Sequence, residues 1–406
     1  MNASRKRRTI YFVWNYLNWG GAQIYLLAVM KLAKPDWDML VLLPRGSSSE
    51  LLGFLEKVGV PYEFLEHALE NAPAVTFAEK LARQRSRIRS EREIYRRLSS
   101  IDLRNNILHI EIAPWQSWLL LALLDRRGAN IFITLHNFLT GGGKARQLIW
   151  KRRLRFVSRL KGVHVFASNR DCKDRFRGWF TDEFHDRIKV TYTSVNPEEI
   201  EQARKADQQH LRNQYSLPED KFIVLCVGQF VDRKGRWVFL DAAKQAAARG
   251  DESLMFVWLM PQPPDAEAMQ RIKGYGLGDR FRFFVSPEIA KDRLGVLQFF
   301  NIADAFALSS FIEGLPIALL EAMAIGLPSI STNVFAIPEA IIDGKTGLLI
   351  EPGDGGSLYT AIHRLAAEPE LRKSLASAGR EHVLENFDER VAAAEVLASY
   401  RACFDD

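Results

Sequence analysis

Cysteine is scarce. The chain of 406 residues has three, Cys172, Cys226 and Cys403, far apart and without metal-ligand spacing. That argues against a disulfide framework and against a zinc site, and fits a reducing cytoplasm. Long apolar runs are missing as well. The densest, at 118–124, ends at Asp125, far short of the roughly 20 residues a membrane-spanning helix needs. A basic run at 5–8 precedes an apolar stretch, but Asn15 interrupts that stretch, so it reads as a first strand rather than a signal peptide. No G-x-G-x-x-G follows this strand, which disfavours a dinucleotide-dependent dehydrogenase. Short repeats, low-complexity segments and nucleic-acid reader motifs are also lacking.

What is present is the composition of a globular protein, 47% hydrophobic and 26% charged. The length suggests two or three domains. A formal net charge of +6 hides an asymmetry: residues 1–200 hold 33 Lys+Arg against 20 Asp+Glu, and the remainder 22 against 29. A front half at net +13 points to an anionic partner. Much of this charge lies in two helical segments. Residues 80–97 carry eight basic residues; 144–161 carry eight with no acidic residue, interleaved with Trp150, Leu154, Phe156, Val157 and Leu160. The first reads as a solvated helix face, whereas the second suits an anionic membrane surface.

Strand and helix patterns alternate throughout. "TIYFVW", a loop "NYLNWGGAQ" and the helix "IYLLAVMKLA" open the chain; "DMLVLLP", "NILHIEI", "NIFITLHN" and "GVHVFASN" follow as strands. After a charged helical segment at 198–214 the pattern restarts with "FIVLCVGQF", "LMFVWLM", "RFRFFV", "ADAFALS" and "PSIST". Nearly all-apolar strands are those of parallel sheets buried on both faces. The expected fold is α/β, with two doubly wound Rossmann-like domains and a cleft at the strand C-termini. The boundary is placed at 197/198, giving domains 1–197 and 198–385, with a C-terminal helix at 386–406 completing the first.

The stretch "SSFIEGLPIALLEAMAIGLPSIS" (309–331) sets Glu313 and Glu321 in apolar surroundings. Pro316 suits a helix start, and Gly326 and Pro328 suit its end. Glu313 then lies in a loop at a helix N-terminus and Glu321 inside the helix. First-turn amides attract anions while carboxylates accept hydroxyls, so a polyol joined to a phosphate fits. A loop–helix junction whose glutamates only cap and solvate fits the same spacing.

Several blocks in the back half resemble the retaining glycosyltransferases of family 4, which have the GT-B architecture. They are "VGQFVDRKG" (227–235), "ADAFALSSFIEGLPIALLEAMAIGLPSIST" (303–332), "IPEAIIDGKTGLLIEPGD" (337–354) and "FDERVAAAEVLASYR" (387–401). "WGGAQ" (19–23), "TLHN" (134–137) and "ASNRD" (167–171) are looser matches in the front half. The resemblance implies an acceptor domain in front and a nucleotide-sugar donor domain behind. It implies that Glu313 contacts sugar hydroxyls, Glu321 the ribose, the Gly314–Leu315 backbone the sugar or phosphate, and Lys234 the diphosphate. Gly20 and Gly21 would let the first loop approach that phosphate, and His136 would line the reaction centre. Gln229 stands where the family often has arginine, and Arg233 beside Lys234 would compensate.

The implied reaction moves a hexose-type sugar from a nucleotide-diphosphate sugar, a co-substrate rather than a cofactor, to a lipid-linked or glycan acceptor. Configuration would be retained by front-face attack, with the leaving phosphate as base. No Asp-x-Asp motif stands at a strand end, so Lys234 and the helix start would carry the phosphate charge without a metal. Expected partners are the nucleotide sugar, the acceptor and an anionic membrane surface met by 144–161, but not nucleic acid. The expected setting is cytoplasmic, peripheral on the inner face of the cell membrane, in polysaccharide or envelope synthesis. Two alternatives stay open at this point: a sugar-nucleotide epimerase on the same fold, and a non-catalytic sugar-nucleotide-binding protein.

Overall fold

A computed structural model of the chain describes residues 7–15, 21–68, 76–139 and 143–405. The chain divides into two units, one of residues 1–192 with 390–406 and one of residues 193–389. Each is built on one parallel sheet. The first sheet contains β1 (Thr9–Trp14), β2 (Asp38–Arg45), β3 (Tyr62–Ala68), β4 (Ile107–Glu111), β5 (Asn130–Leu135), β6 (Val163–Ala167) and β7 (Lys189–Val190), in the order β3-β2-β1-β4-β5-β6-β7. The second contains β8 (Phe222–Val227), β9 (Leu254–Met260), β10 (Phe281–Val285), β11 (Ala305–Leu308), β12 (Ser329–Thr332) and β13 (Leu348–Ile350), in the order β10-β9-β8-β11-β12-β13. Both are the doubly wound, Rossmann-like arrangement. The strand order reverses between β1 and β4 in one unit and between β8 and β11 in the other. Loops beyond the strand C-termini at such a reversal are where open α/β sheets bind ligands.

Burial on two faces explains the strand sequences. In β1, Ile10, Phe12 and Trp14 join one apolar cluster and Val13 joins another. Every residue of β9 is buried. The C-terminal helix Glu389–Arg401 inserts Ala393, Val396, Leu397 and Tyr400 into the cluster that holds Phe12 and Trp14. This covers one face of the first sheet with residues from the far end of the chain.

Local signals set the helix limits. Thr76 and Glu79 form a reciprocal capping box at the start of the basic helix Phe77–Ser99. Gly326, at φ 100°, ends Ile317–Ile325 in the left-handed region that favours glycine. One expectation is corrected: the first helix begins at Gly21, not at Ile24, and runs to Ala33. Gly21 therefore opens a helix instead of ending a loop. The charged segment at 198–214 is two short helices, Pro197–Ala203 and Gln208–Gln214, started by Asn196 and Asp207 caps.

Candidate active site

In the second unit the site grows from the loops that follow β8 and β11. Beyond β8 the chain makes a short turn, Asp232–Lys234, ended by Gly235 at φ 69°. A Cβ on Gly235 would lie 1.8 Å from the Ser309 carbonyl oxygen, so only glycine lets the two loops touch here. Two hydrogen bonds stitch them together. The Ser309 hydroxyl donates to the Gly235 carbonyl at 3.0 Å, and the Phe311 amide donates to the Arg233 carbonyl at 2.8 Å. The result holds Lys234 over the β11 loop. Its Nζ donates to Glu313 Oε1 at 2.5 Å, and the Ser310 hydroxyl donates to the same oxygen at 2.7 Å. Thr332, at the end of β12, fixes Ser310 by donating to its carbonyl at 2.6 Å.

Glu313 is buried, and the side chain of Lys234 is 13% exposed. This is a nearly desolvated cation beside a carboxylate, at the point where the strand order reverses. Gly314 is half-buried and Leu315 buried, just ahead of helix Ile317–Ile325 with Pro316 as its N-cap. The Gln229 side-chain carbonyl accepts from Arg233 at 2.9 Å, and both side chains are exposed. Arg233 is thus committed to the residue whose missing charge it was expected to replace.

Glu321 has a different partner. It is buried in Ile317–Ile325 with Oε1 2.6 Å from an Arg293 guanidinium nitrogen. Arg293 also donates to Glu199 at 3.0 Å. Three helices, Pro197–Ala203, Arg293–Phe299 and Ile317–Ile325, are tied by this one side chain. Burial pushes the Glu321 carboxyl up from its ordinary range, and Arg293 offsets this only in part. Burial also pulls the Arg293 guanidinium down, but Glu321 and Glu199 outweigh it and the net direction is up.

In the first unit His136 follows β5, and its Nε2 lies 2.9 Å from Glu111 Oε2 at the end of β4. Ser168, at the end of β6, donates to the His136 carbonyl at 3.1 Å. Glu111 is buried, and burial alone would push its carboxyl up. The imidazoles of His136 and His109 reverse that and hold it down at about 2. Of the remaining expected site residues, Gly20 lies outside the described residues and Gly21 begins the first helix.

The structure therefore brings Lys234 and Glu313 together, with Gly314 and Leu315 next in the chain. It gives Glu321 an arginine partner and His136 a carboxylate partner. Sequence reasoning missed Ser310, Arg293, Glu199, Glu111 and His109. For Glu111 a signal existed: it is the charged residue that ends an otherwise apolar strand, "NILHIEI", at the end where such sheets bind ligands. Arg293 carried no comparable signal, because only the folded chain places it beside Glu321.

Comparison with known proteins sharpens this reading. Residues 207–382, inside the second unit, match the family model described as Glycosyl transferases group 1. The D-inositol 3-phosphate glycosyltransferase of Rhodococcus jostii (strain RHA1) is 31% identical over 205 residues, 49% of this chain and 44% of the relative. The N-acetyl-alpha-D-glucosaminyl L-malate synthase of Bacillus anthracis is 28% identical over 280 residues, 64% of this chain and 70% of the relative. The chain thus spans less than half the length of the first of these relatives. A solved glycosyltransferase from Rickettsia africae ESF-5 superposes with a TM-score of 0.75 at 18% identity, covering 99% of this chain and 100% of that one. The two-domain GT-B fold is shared along the chain, and residues 207–382 carry the sequence pattern of the group 1 glycosyltransferase family.

Proposed function

We propose that the chain transfers a hexose-type sugar from a nucleotide-diphosphate sugar to a lipid-linked or glycan acceptor, with retention and without a metal. The observation that carries this reading is the Lys234–Glu313–Ser310 cluster at the β8/β11 reversal, inside the segment that matches the family. Departure of a nucleoside diphosphate builds negative charge on phosphate. A cation already in place lowers that barrier without reorganising at the moment of reaction. Lys234 is such a cation, and the start of helix Ile317–Ile325 adds its amide dipoles. Glu313 would accept hydroxyls of the donor sugar, releasing Lys234 to the phosphate. Glu321 would accept the ribose hydroxyls. His136 would line the acceptor side of the reaction.

The relatives' names speak of inositol 3-phosphate and L-malate, which are small anionic molecules. A front half at net +13 suits an acceptor with anionic groups, a lipid-linked one among them. Among the described residues no helix is long and apolar enough to cross a membrane. We place the enzyme in the cytoplasm, held peripherally at the membrane by helix Lys144–Val157.

A thermal-shift panel of nucleotide sugars tests the donor, because a ligand at about 100 times its Kd adds about 2.7 kcal/mol of stability. The shift should vanish in Lys234→Ala. The best donor is then incubated with membrane extract and the product's anomeric configuration read by NMR. Transfer should proceed unchanged in EDTA; loss that magnesium restores would overturn the metal-independent reading. A panel in which no nucleotide sugar shifts the melting temperature would overturn the donor assignment.

A further inference from the structure

His136 sits at one end of a chain of polar contacts that runs into the core. Glu111 is 3% exposed and receives His136 Nε2 at 2.9 Å on one carboxylate oxygen. Its other oxygen lies 3.3 Å from His109 Nε2, which is also 3.0 Å from Thr134 Oγ1. His109 is fully buried, and its Nδ1 is 2.5 Å from the Tyr400 hydroxyl. Tyr400 stands on the C-terminal helix, nearly 300 positions along the chain from His109, with its ring packed edge-on against both His109 and Phe132.

The direction of each bond follows from chemistry. An ionised carboxylate only accepts. Both imidazole Nε2 atoms must then carry protons, since a lone pair facing the carboxylate at these distances would repel it. Burial holds the Tyr400 phenol well above its ordinary range, so its hydroxyl keeps a proton to give. His109 Nδ1 is the acceptor placed to take it. The order reads Tyr400 O–H to His109 Nδ1, His109 Nε2–H to Thr134 with the Glu111 carboxylate facing it, and His136 Nε2–H to Glu111. With Nε2 committed, Nδ1 is the nitrogen that His136 can offer outward.

The geometry points to Glu111 as a positioning residue: anchored through His109 to Tyr400 of the C-terminal helix, it holds the Nε2–H of His136 and leaves Nδ1 as the ring atom that meets a substrate. This rests on the glycosyl-transfer reading for what His136 does, but not for how it is held. An amide in place of the carboxylate has one accepting oxygen and one NH2 group, so Glu111→Gln sets an N–H donor against one of the two imidazoles. Tyr400→Phe keeps the packed ring and removes only the hydroxyl at the far end.

Histidine-selective 15N labelling of the full chain tests the arrangement without any turnover. The chain has eight histidines, and the His136→Asn variant assigns the signal. The wild type should show a solvent-protected proton on Nε2 of both His136 and His109. At least one of these protons should be lost in Glu111→Gln, and the His109 signal should shift in Tyr400→Phe. A His136 that carries its proton on Nδ1, or a His109 signal unmoved by Tyr400→Phe, overturns the arrangement, whether or not a donor has been found.

Kinetics provide the second reading. Glu111→Gln should lower kcat at least about tenfold, as loss of a group that sets an imidazole tautomer does, and leave the donor KM within about twofold. Wild-type kcat in Glu111→Gln would overturn the positioning role. A purely structural residue would lower the melting temperature and leave kcat per folded molecule unchanged. A wild type that turns over no nucleotide sugar counts against the glycosyl-transfer reading alone, because the spectrum still decides how His136 is held.

Discussion

Lys234 and Glu313 lie 79 positions apart in the chain, yet their charged atoms are 2.5 Å apart and their side chains 13% and 6% exposed. Removing one partner from so desolvated a pair leaves the other uncompensated, at a cost of about 3–5 kcal/mol. Replacing both with neutral groups of similar shape avoids that cost. The losses of stability in Lys234→Met and Glu313→Gln should therefore sum to more than the loss in the double variant, with a coupling of about 1–3 kcal/mol in urea unfolding. All three variants should lose transfer. Additive stabilities would show that the pair is solvated in solution and that Lys234 is not held ready for phosphate. The pH dependence of Glu111 has a definite sign. Its folded pKa, about 2, lies below the ordinary 4.5. The ionised carboxylate thus stabilises the fold above about 4.5, and this contribution is lost as pH falls towards about 2. The stability gap between wild type and Glu111→Gln should shrink over that window in denaturant melts; a gap independent of pH would contradict it. Sequence reasoning named Lys234, Glu313, Glu321 and His136 because they stand in quotable motifs. It missed Arg293 because its importance comes from contacts between separate helices, which no local pattern encodes, and it passed over Ser310, three residues before Glu313 in the same quoted motif, because a loop serine carries no signal of its own.

The two loops of the second unit's site approach most closely at a residue without a side chain. Gly235 combines a left-handed φ of 69° with a Cβ direction that runs into the Ser309 carbonyl. Alanine there adds roughly 1–2 kcal/mol of backbone strain before any steric displacement. The backbone of the β11 loop must then move, carrying Ser310 and Glu313 away from Lys234. Gly235→Ala should lower stability by more than about 2 kcal/mol and abolish the nucleotide-sugar thermal shift. Wild-type ligand binding in that variant would mean the loop contact is not what sets the site. Element by element, legibility followed burial. Strands β8 and β9 are almost wholly apolar and were plain in the sequence. Strand β3, "YEFLEHA", sits at a sheet edge with two glutamates and half-exposed or exposed aromatics, so its pattern is that of a loop. Strand β13 is three residues long and also lies at an edge. Pairing with a neighbour, rather than its own composition, makes each a strand.

Across the whole molecule the charge asymmetry is the property that local structure leaves unexplained, and helix Lys144–Val157 concentrates it. It carries Arg152 and Arg155, both exposed, beside Leu148 and Ile149, which are 52% and 48% exposed, and an exposed Arg146 that lies over the Trp150 ring. Not every basic residue of the segment is available. Arg153 donates to the Trp115 carbonyl and lies over the Trp118 ring, so it is committed to its own unit. Phe156 packs edge-on against Trp118. The face that remains is basic on one side and aliphatic at its N-terminal end, as a helix lying in a headgroup layer would be. Each basic residue near an anionic leaflet contributes about 1 kcal/mol, and the contribution falls off within a Debye length. Replacing Arg146, Arg152 and Arg155 with serine should then weaken binding to phosphatidylserine-containing vesicles by about a hundredfold at low salt. Replacing Arg153 alone should chiefly lower the melting temperature. Sedimentation with vesicles, repeated at rising ionic strength, measures both effects. If the wild type stays in the supernatant at low salt, the peripheral-membrane reading fails, and the basic front half is left to serve a soluble anionic acceptor.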